Sequence, residues 1–122
     1  MRKQTDYIKR GAVEVIAQDV LEVKTASYDC DWNEEVILVK REVGVTTVGI
    51  NLGTPVGYSG RRLLVKNAES ATGAITLTAP VVTLDDGTTY QSKIDGANSV
   101  QVTTAYGSVE VISDGENFSV IG

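Results

Sequence analysis

The stretch Val48-Gly49-Ile50-Asn51-Leu52 identifies the fold class, because its apolar residues recur at every second position. Successive side chains of a β-strand point to opposite faces, so this spacing predicts a half-buried strand. The same alternation recurs further along the chain, at Ile75–Leu77, Val100–Val102 and Val109–Val111. The pattern predicts an all-β protein.

Turn residues divide the chain into short strands. Asp-Gly pairs at 86–87, 95–96 and 114–115 favour the tight turns that join antiparallel strands. Residues 53–60 carry three glycines and one proline, which predicts a loop. Between these breaks we expect strands at residues 20–24, 36–40, 46–52, 61–66, 74–78, 81–84, 99–104, 107–113 and 117–121. Short strands at regular spacing predict a single antiparallel β-sandwich or barrel-like domain.

The first nineteen residues do not follow this pattern as clearly. We interpret residues 1–19 as an extended N-terminal arm and residues 20–122 as the β domain. A helix over residues 12–23 is the alternative, because Val13, Ile16 and Val20 have helical spacing. The many β-branched residues in that segment weigh against the helix.

Composition excludes several classes of partner. A length of 122 residues suits one domain, and a net charge of -5 offers no basic surplus for binding nucleic acid. No apolar run is long enough for a membrane helix, and Met1 is not followed by an apolar signal core. We expect a protein made in the cytoplasm that binds neither nucleic acid nor membrane.

Catalytic chemistry has little support in the sequence. Histidine, the commonest general base, is absent. Cys30 is the one cysteine, so no intrachain disulfide can form, and its neighbours Asp29 and Asp31 disfavour a reactive thiolate. No phosphate-binding glycine motif occurs either. We predict that the protein is not an enzyme and has no cofactor.

A metal site is the hypothesis that Asp29, Asp31 and Asn33 raise, because they stand at the first, third and fifth places of a calcium-loop pattern. The rest of the pattern fails, since Glu34 replaces the turn glycine and Lys40 replaces the bidentate glutamate. A solvated acidic turn is the preferred interpretation.

Residues 34 to 122 resemble a β module that recurs in phage virion proteins. The resemblance is most specific in the run 106–118, where a strand, a Ser-Asp-Gly turn and a second strand with an aromatic residue follow one another. Phe118 stands where family members usually have tryptophan, and the turn at Leu84-Asp85-Asp86-Gly87 is one residue longer than theirs. Such modules occur in tail fibres, tail spikes and head decoration proteins.

The resemblance implies a structural protein of the phage particle, located on the virion. We expect a capsid decoration (cement) protein, which stabilises the head by binding between capsomers. This expectation rests on length, because the chain reaches the resembling module within about 35 residues of Met1. The alternatives are a tail-fibre or spike module, or a module that binds host-surface glycans through aromatic side chains.

The expected partners are the major capsid protein or another virion protein, and further copies of the chain in a homotrimer. Apolar and aromatic residues of the arm and of the 53–60 loop are the candidate contacts, because such residues anchor interfaces. The predicted interface residues are Tyr7, Ile8, Val13, Val15, Pro55, Tyr58 and Arg61.

Overall fold

A computed structural model describes residues 20–122, which form eleven β-strands. The strands are β1 Val20–Val23, β2 Ser27–Asp29, β3 Val36–Val39, β4 Val48–Asn51, β5 Arg62–Asn67, β6 Ile75–Thr78, β7 Val81–Thr83, β8 Thr89–Gln91, β9 Ser99–Val102, β10 Ser108–Ser113 and β11 Phe118–Val120. The predicted all-β class is confirmed.

The first six strands alternate between two sheets. β1, β3 and β5 lie side by side in a five-stranded sheet that β10 and β11 complete. β2, β4 and β6 lie in a four-stranded sheet that β9 completes. Neighbours among these six strands pair in parallel. We call the consecutive pairs β1–β2, β3–β4 and β5–β6 the first, second and third rungs, because each stacks on the next as in a solenoid.

Antiparallel strands cover the third rung. β10 pairs with β5 and β9 pairs with β6, and β11 then pairs with β10. The first rung has no such cover within residues 20–122, where β1 pairs with β3 alone and β2 with β4 alone. The hairpin β7–β8 forms a separate two-stranded sheet.

One hydrophobic core lies between the two large sheets. Ile37 and Val65 point into it from the five-stranded sheet, and Ile50 and Leu77 point into it from the four-stranded sheet. All four side chains are fully buried. The strand register places Ile37 opposite Val65 and Ile50 opposite Leu77. The alternation seen in the sequence therefore produces continuous apolar rows across each sheet.

The strand pairing differs from the predicted antiparallel arrangement, and the two large sheets do not close into a barrel. Antiparallel pairing holds for β7–β8, for β6–β9 and for the strands around β10, but the three rungs are parallel. Parallel neighbours need a long crossover. Here the strand of the opposite sheet supplies it, which alternation along one strand cannot reveal.

The turn predictions at Asp-Gly pairs are confirmed. Asp86-Gly87 joins β7 to β8, and Asp114-Gly115 joins β10 to β11. Asp95 and Gly96 both have positive φ angles, 49° and 82°, in a tight turn closed by the Ile94 N–H, which donates to the Ala97 carbonyl at 2.7 Å.

The alternative helix over residues 12–23 is wrong at residues 20–23, which form β1. The predicted arm, residues 1–19, lies outside the described residues.

Arg41 links the loop between β3 and β4 to the loop between β5 and β6. Its guanidinium donates to Glu69 Oε1 at 2.9 Å, to Asn67 Oδ1 at 3.2 Å and to the carbonyl oxygens of Thr46 at 2.9 Å and Gly73 at 2.6 Å. A Cβ at Gly73 would overlap the Thr46 carbonyl, so the close approach of these two connections requires glycine.

Candidate interaction surfaces

The outward face of the five-stranded sheet carries an apolar row. Val20, Val36 and Leu64 occupy matched positions on β1, β3 and β5, and Glu110 continues the row on β10. Val20 is 55% exposed, while Val36 and Leu64 are half-buried. We call Val20, Val36 and Leu64 the apolar row.

Charged side chains border the part of the apolar row that lies on β3 and β5. A depression of ≈ 400 Å³ contains Val36 and Leu64, and Arg61, Arg62 and Glu110 line its sides. An apolar floor with charges of both signs at the rim is the arrangement typical of protein interfaces.

The outward face of the four-stranded sheet is different in chemistry. One row across it consists of Ser27, Gly49, Thr76 and Gln101. Polar side chains in this row form a hydrogen bond with each other: Gln101 Nε2 donates to Thr76 Oγ1 at 3.1 Å. Of the two faces, the five-stranded sheet is therefore the better candidate for an interaction surface.

The apolar row was not among the interface residues predicted from the sequence. The signal was present, because Val36-Ile37-Leu38-Val39 is a continuous apolar run instead of an alternating one. Strands that are apolar at every position are buried on both faces. Such a run predicts that one face of the strand packs in the core and that the other face packs against a further element or another protein.

The predicted loop contacts Tyr58 and Arg61 pack onto the domain itself. The Tyr58 ring stacks on Trp32 with centroids 5.5 Å apart. The Arg61 guanidinium lies 5.9 Å from both ring centroids and donates to the Trp32 carbonyl. Pro55 is buried, and its carbonyl accepts a hydrogen bond from Ser113 Oγ at 3.2 Å. Of these three residues, Arg61 borders the depression beside the apolar row.

The other predicted contacts, at Tyr7, Ile8, Val13 and Val15, lie outside the described residues.

Trp32 anchors the 53–60 loop from within the core. It is 4% exposed, stacks on Phe118 at 6.2 Å, and its indole N–H donates to the Thr54 carbonyl at 2.8 Å. Its φ of 69° is rare for a bulky residue, and the surrounding contacts maintain it. Among the described aromatic residues Tyr106 is the most exposed, at 59%, while Tyr28, Tyr58 and Tyr90 are half-buried.

The acidic turn around Cys30 suppresses the thiolate. Burial, followed by the charges of Glu34, Asp31 and Asp29, raises the pKa of the Cys30 thiol to about 12. The effect of the two aspartates was predicted from the sequence, whereas burial and the Glu34 charge are evident only in the structure. A thiol with so high a pKa is a poor nucleophile near neutral pH.

The residues of the calcium-loop pattern serve separate hydrogen bonds. Asp29 Oδ1 accepts from Asn51 Nδ2 at 2.7 Å, and Asp31 Oδ1 accepts from the Asn33 N–H at 3.0 Å. In the part of the chain from 20 to 122, no three His, Cys, Asp or Glu side chains converge on a metal-sized site.

Glu34 is a buried acid, and no pattern in the sequence predicts its burial. It is 5% exposed, and its Oε2 accepts from the Tyr28 hydroxyl at 2.5 Å. Burial and the Glu34 carboxylate both raise the pKa of Tyr28. The pair links β2 to the turn that leads into β3, so it fixes the shape of the first rung.

No known protein family matches the sequence, and no curated protein is detectably similar to it. The described residues include no helix long and apolar enough to cross a membrane.

Proposed function

We propose that this protein is a structural component of a bacteriophage particle and acts as a head decoration protein, which binds the major capsid protein between capsomers. The observation that supports protein binding most directly is the apolar row on the five-stranded sheet. Val20, Val36 and Leu64 line up across three strands on the outward face of the sheet. Cover by another protein would remove this apolar surface from water.

The resemblance of residues 34 to 122 to phage virion modules supports the location on a particle. That range holds β3 to β11, including the β10–β11 hairpin that carries the most specific part of the resemblance. A protein that binds the expanded head but not the free capsid subunit stabilises the head by mass action.

The test is to add the purified protein to expanded heads that lack it and to image them by electron microscopy. We expect density at the local three-fold positions and a rise in the temperature at which the heads open. Density on the tail alone would refute the decoration role and would favour the tail-fibre alternative.

Variants locate the binding face in the same assay. Leu64→Lys places a charge in the apolar row and should weaken head binding by roughly thirtyfold, the effect of losing a contact worth about 2 kcal/mol. Thr76→Lys is the matched control, since Thr76 is also a half-buried outward residue on a central strand, but of the polar face. Equal binding by the two variants would exclude the apolar row as the binding face.

A further inference from the structure

The first rung leaves the hydrophobic core open at one end. Leu21 on β1 and Tyr28 on β2 are partly buried and pack against the core. A depression of ≈ 190 Å³ opens beside them. At the opposite end of the same rows, Val109 of β10 and Val100 of β9 continue the apolar surface beyond the third rung. The first-rung end has no equivalent strand among residues 20–122.

The edge of β1 is suited to accept a strand. β1 lies at the margin of the five-stranded sheet and pairs only with β3 in the described chain. An edge strand carries main-chain donors and acceptors that another strand can pair with. β1 holds no proline, and exposed Val20 adds apolar surface at this margin.

The sequence contains a second copy of the strand that covers the other end. Residues 11–17 are Gly-Ala-Val-Glu-Val-Ile-Ala, and residues 107–113 are Gly-Ser-Val-Glu-Val-Ile-Ser. Five of the seven positions are identical, and the other two exchange alanine for serine. The second stretch contains β10, in which Val109 and Val111 are 6% and 0% exposed and face the core.

We propose that residues 12–17 of one copy add as a strand to the open edge of β1 in a second copy. Val13 and Val15 would then extend the inward rows of the five-stranded sheet, as Val109 and Val111 do beside β5. Glu14 would face outward, as Glu110 does. The proposal deepens the proposed function by naming the segment and the strand edge that join copies. The pairing itself does not depend on the decoration role; only its use in assembly on a phage head rests on that function.

The connection to β1 favours a second copy as the acceptor. Two residues, Gln18 and Asp19, separate the repeated stretch from β1. Two-residue hairpin turns require positive φ angles and strongly prefer Asn-Gly or Asp-Gly, which this pair does not provide. A parallel pairing within one chain would need a crossover of a dozen or more residues. Exchange between copies avoids both requirements.

Cross-linking between differently tagged full-length chains tests the pairing. One chain carries Glu14→Cys and the other Glu22→Cys, both with Cys30→Ser, and a short bis-maleimide joins neighbouring thiols. Outward residues on adjacent strands lie within reach of such a linker at the matched position and at the diagonal one. We expect a product containing one chain of each tag.

The control chain carries Thr76→Cys, on the outward face of the four-stranded sheet, in place of Glu22→Cys. Docked thiols react at a high effective concentration, so the Glu22 pair should cross-link roughly tenfold faster or more than the Thr76 pair. Equal rates would overturn the proposal. A chain carrying both Glu14→Cys and Glu22→Cys that gives only an intrachain product would also overturn it, because the segment would then pair within one copy.

A second variant separates docking from folding. Val15→Lys in the Glu14→Cys chain should slow cross-linking by a similar factor, whereas Gln18→Lys, outside the repeat, should leave the rate unchanged. Circular dichroism should show the same β content for both. Equal slowing by the two variants would contradict the role of Val15. Head binding is not used in any of these measurements, so failure of the decoration role would not be mistaken for failure of strand exchange.

Discussion

Arg41 has a nearly inaccessible side chain, 3% exposed, beside a Glu69 side chain that is 28% exposed. The Glu69 carboxylate accepts both the Arg41 N–H and the guanidinium at 2.9 Å, and these contacts lower the pKa of Glu69. The remaining guanidinium bonds go to two backbone carbonyls and to an asparagine. A buried charge with this number of partners organises the β3–β4 and β5–β6 loops more than it adds net stability.

Removing that charge should be costly. Arg41→Met leaves the carbonyls of Thr46 and Gly73 without the guanidinium and leaves the Glu69 carboxylate with the main-chain N–H alone, and we expect a loss of about 3 to 5 kcal/mol in the free energy of unfolding. Urea titration followed by circular dichroism measures the loss. Lys40→Met is the control, because the Lys40 ion pair with Glu22 at 3.2 Å is exposed and worth about 1 kcal/mol or less. A similar small effect for both variants would show that the Arg41 contacts are not required.

At the scale of elements, the β10–β11 hairpin depends on an ionised side chain. Asp114 Oδ1 accepts from the N–H groups of Glu116 at 2.8 Å and Asn117 at 2.7 Å. The Asn117 bond, followed by the Glu116 bond, lowers the pKa of Asp114 below its ordinary value of 3.8. The pKa is lower in the folded state, so the stabilisation is complete well above pH 3.8 and disappears as the pH falls through the folded-state pKa.

The expected consequence is a pH-dependent difference between two proteins. Asp114→Ala should lower the melting temperature at pH 6, and the gap from the unsubstituted protein should narrow between about pH 4 and pH 2 as Asp114 becomes protonated. Thermal melts across that range give the result, and exposed Asp85, replaced by alanine, serves as the control. A gap that stays constant down to pH 2 would mean that the charge of Asp114 does not stabilise the turn.

Local chemistry made most strands predictable, but it did not reveal their partners. The segment Val48–Asn51 alternates, so its faces could be assigned from sequence alone. β2, at Ser27–Asp29, went unpredicted because it offers one inward residue, Tyr28, in a polar segment. Parallel pairing between Val20 and Val36 joins residues from separate rungs, and no local pattern encodes that contact.

The candidate surface was harder to predict for the same reason. Val36 and Leu64 become neighbours only when β3 and β5 pair in register. Tyr58 and Arg61 are residue types that often anchor interfaces. In this structure Tyr58 stacks on Trp32, and Arg61 lies over the Tyr58 ring, so both make contacts within the domain. Residue type alone cannot distinguish an anchor that packs on its own chain from one that packs on a partner.

At the scale of the whole molecule we predict a homotrimer. A strand donated to a neighbour makes a heterologous contact, and such contacts form a ring when the rotation between copies closes. Light scattering of the purified protein should give a mass near three chains. Deletion of residues 1–18 should leave the β content intact and give single chains. A full-length protein that remains a monodisperse monomer at micromolar concentration would contradict the trimer.

The strand order also separates the two ends of the described chain. β1 and β11 form opposite margins of one sheet, four strand spacings or about 19 Å apart. The carbonyl of Gly122 accepts the Glu110 N–H at 2.9 Å, which holds Gly122 beside β10. A peptide fused after Gly122 would therefore start far from the β1 margin. If the protein coats a particle, a fusion at this end should leave pairing between copies at the β1 margin free, but it starts beside Glu110, which lines the depression next to the apolar row, so a bulky fusion should weaken attachment to the head.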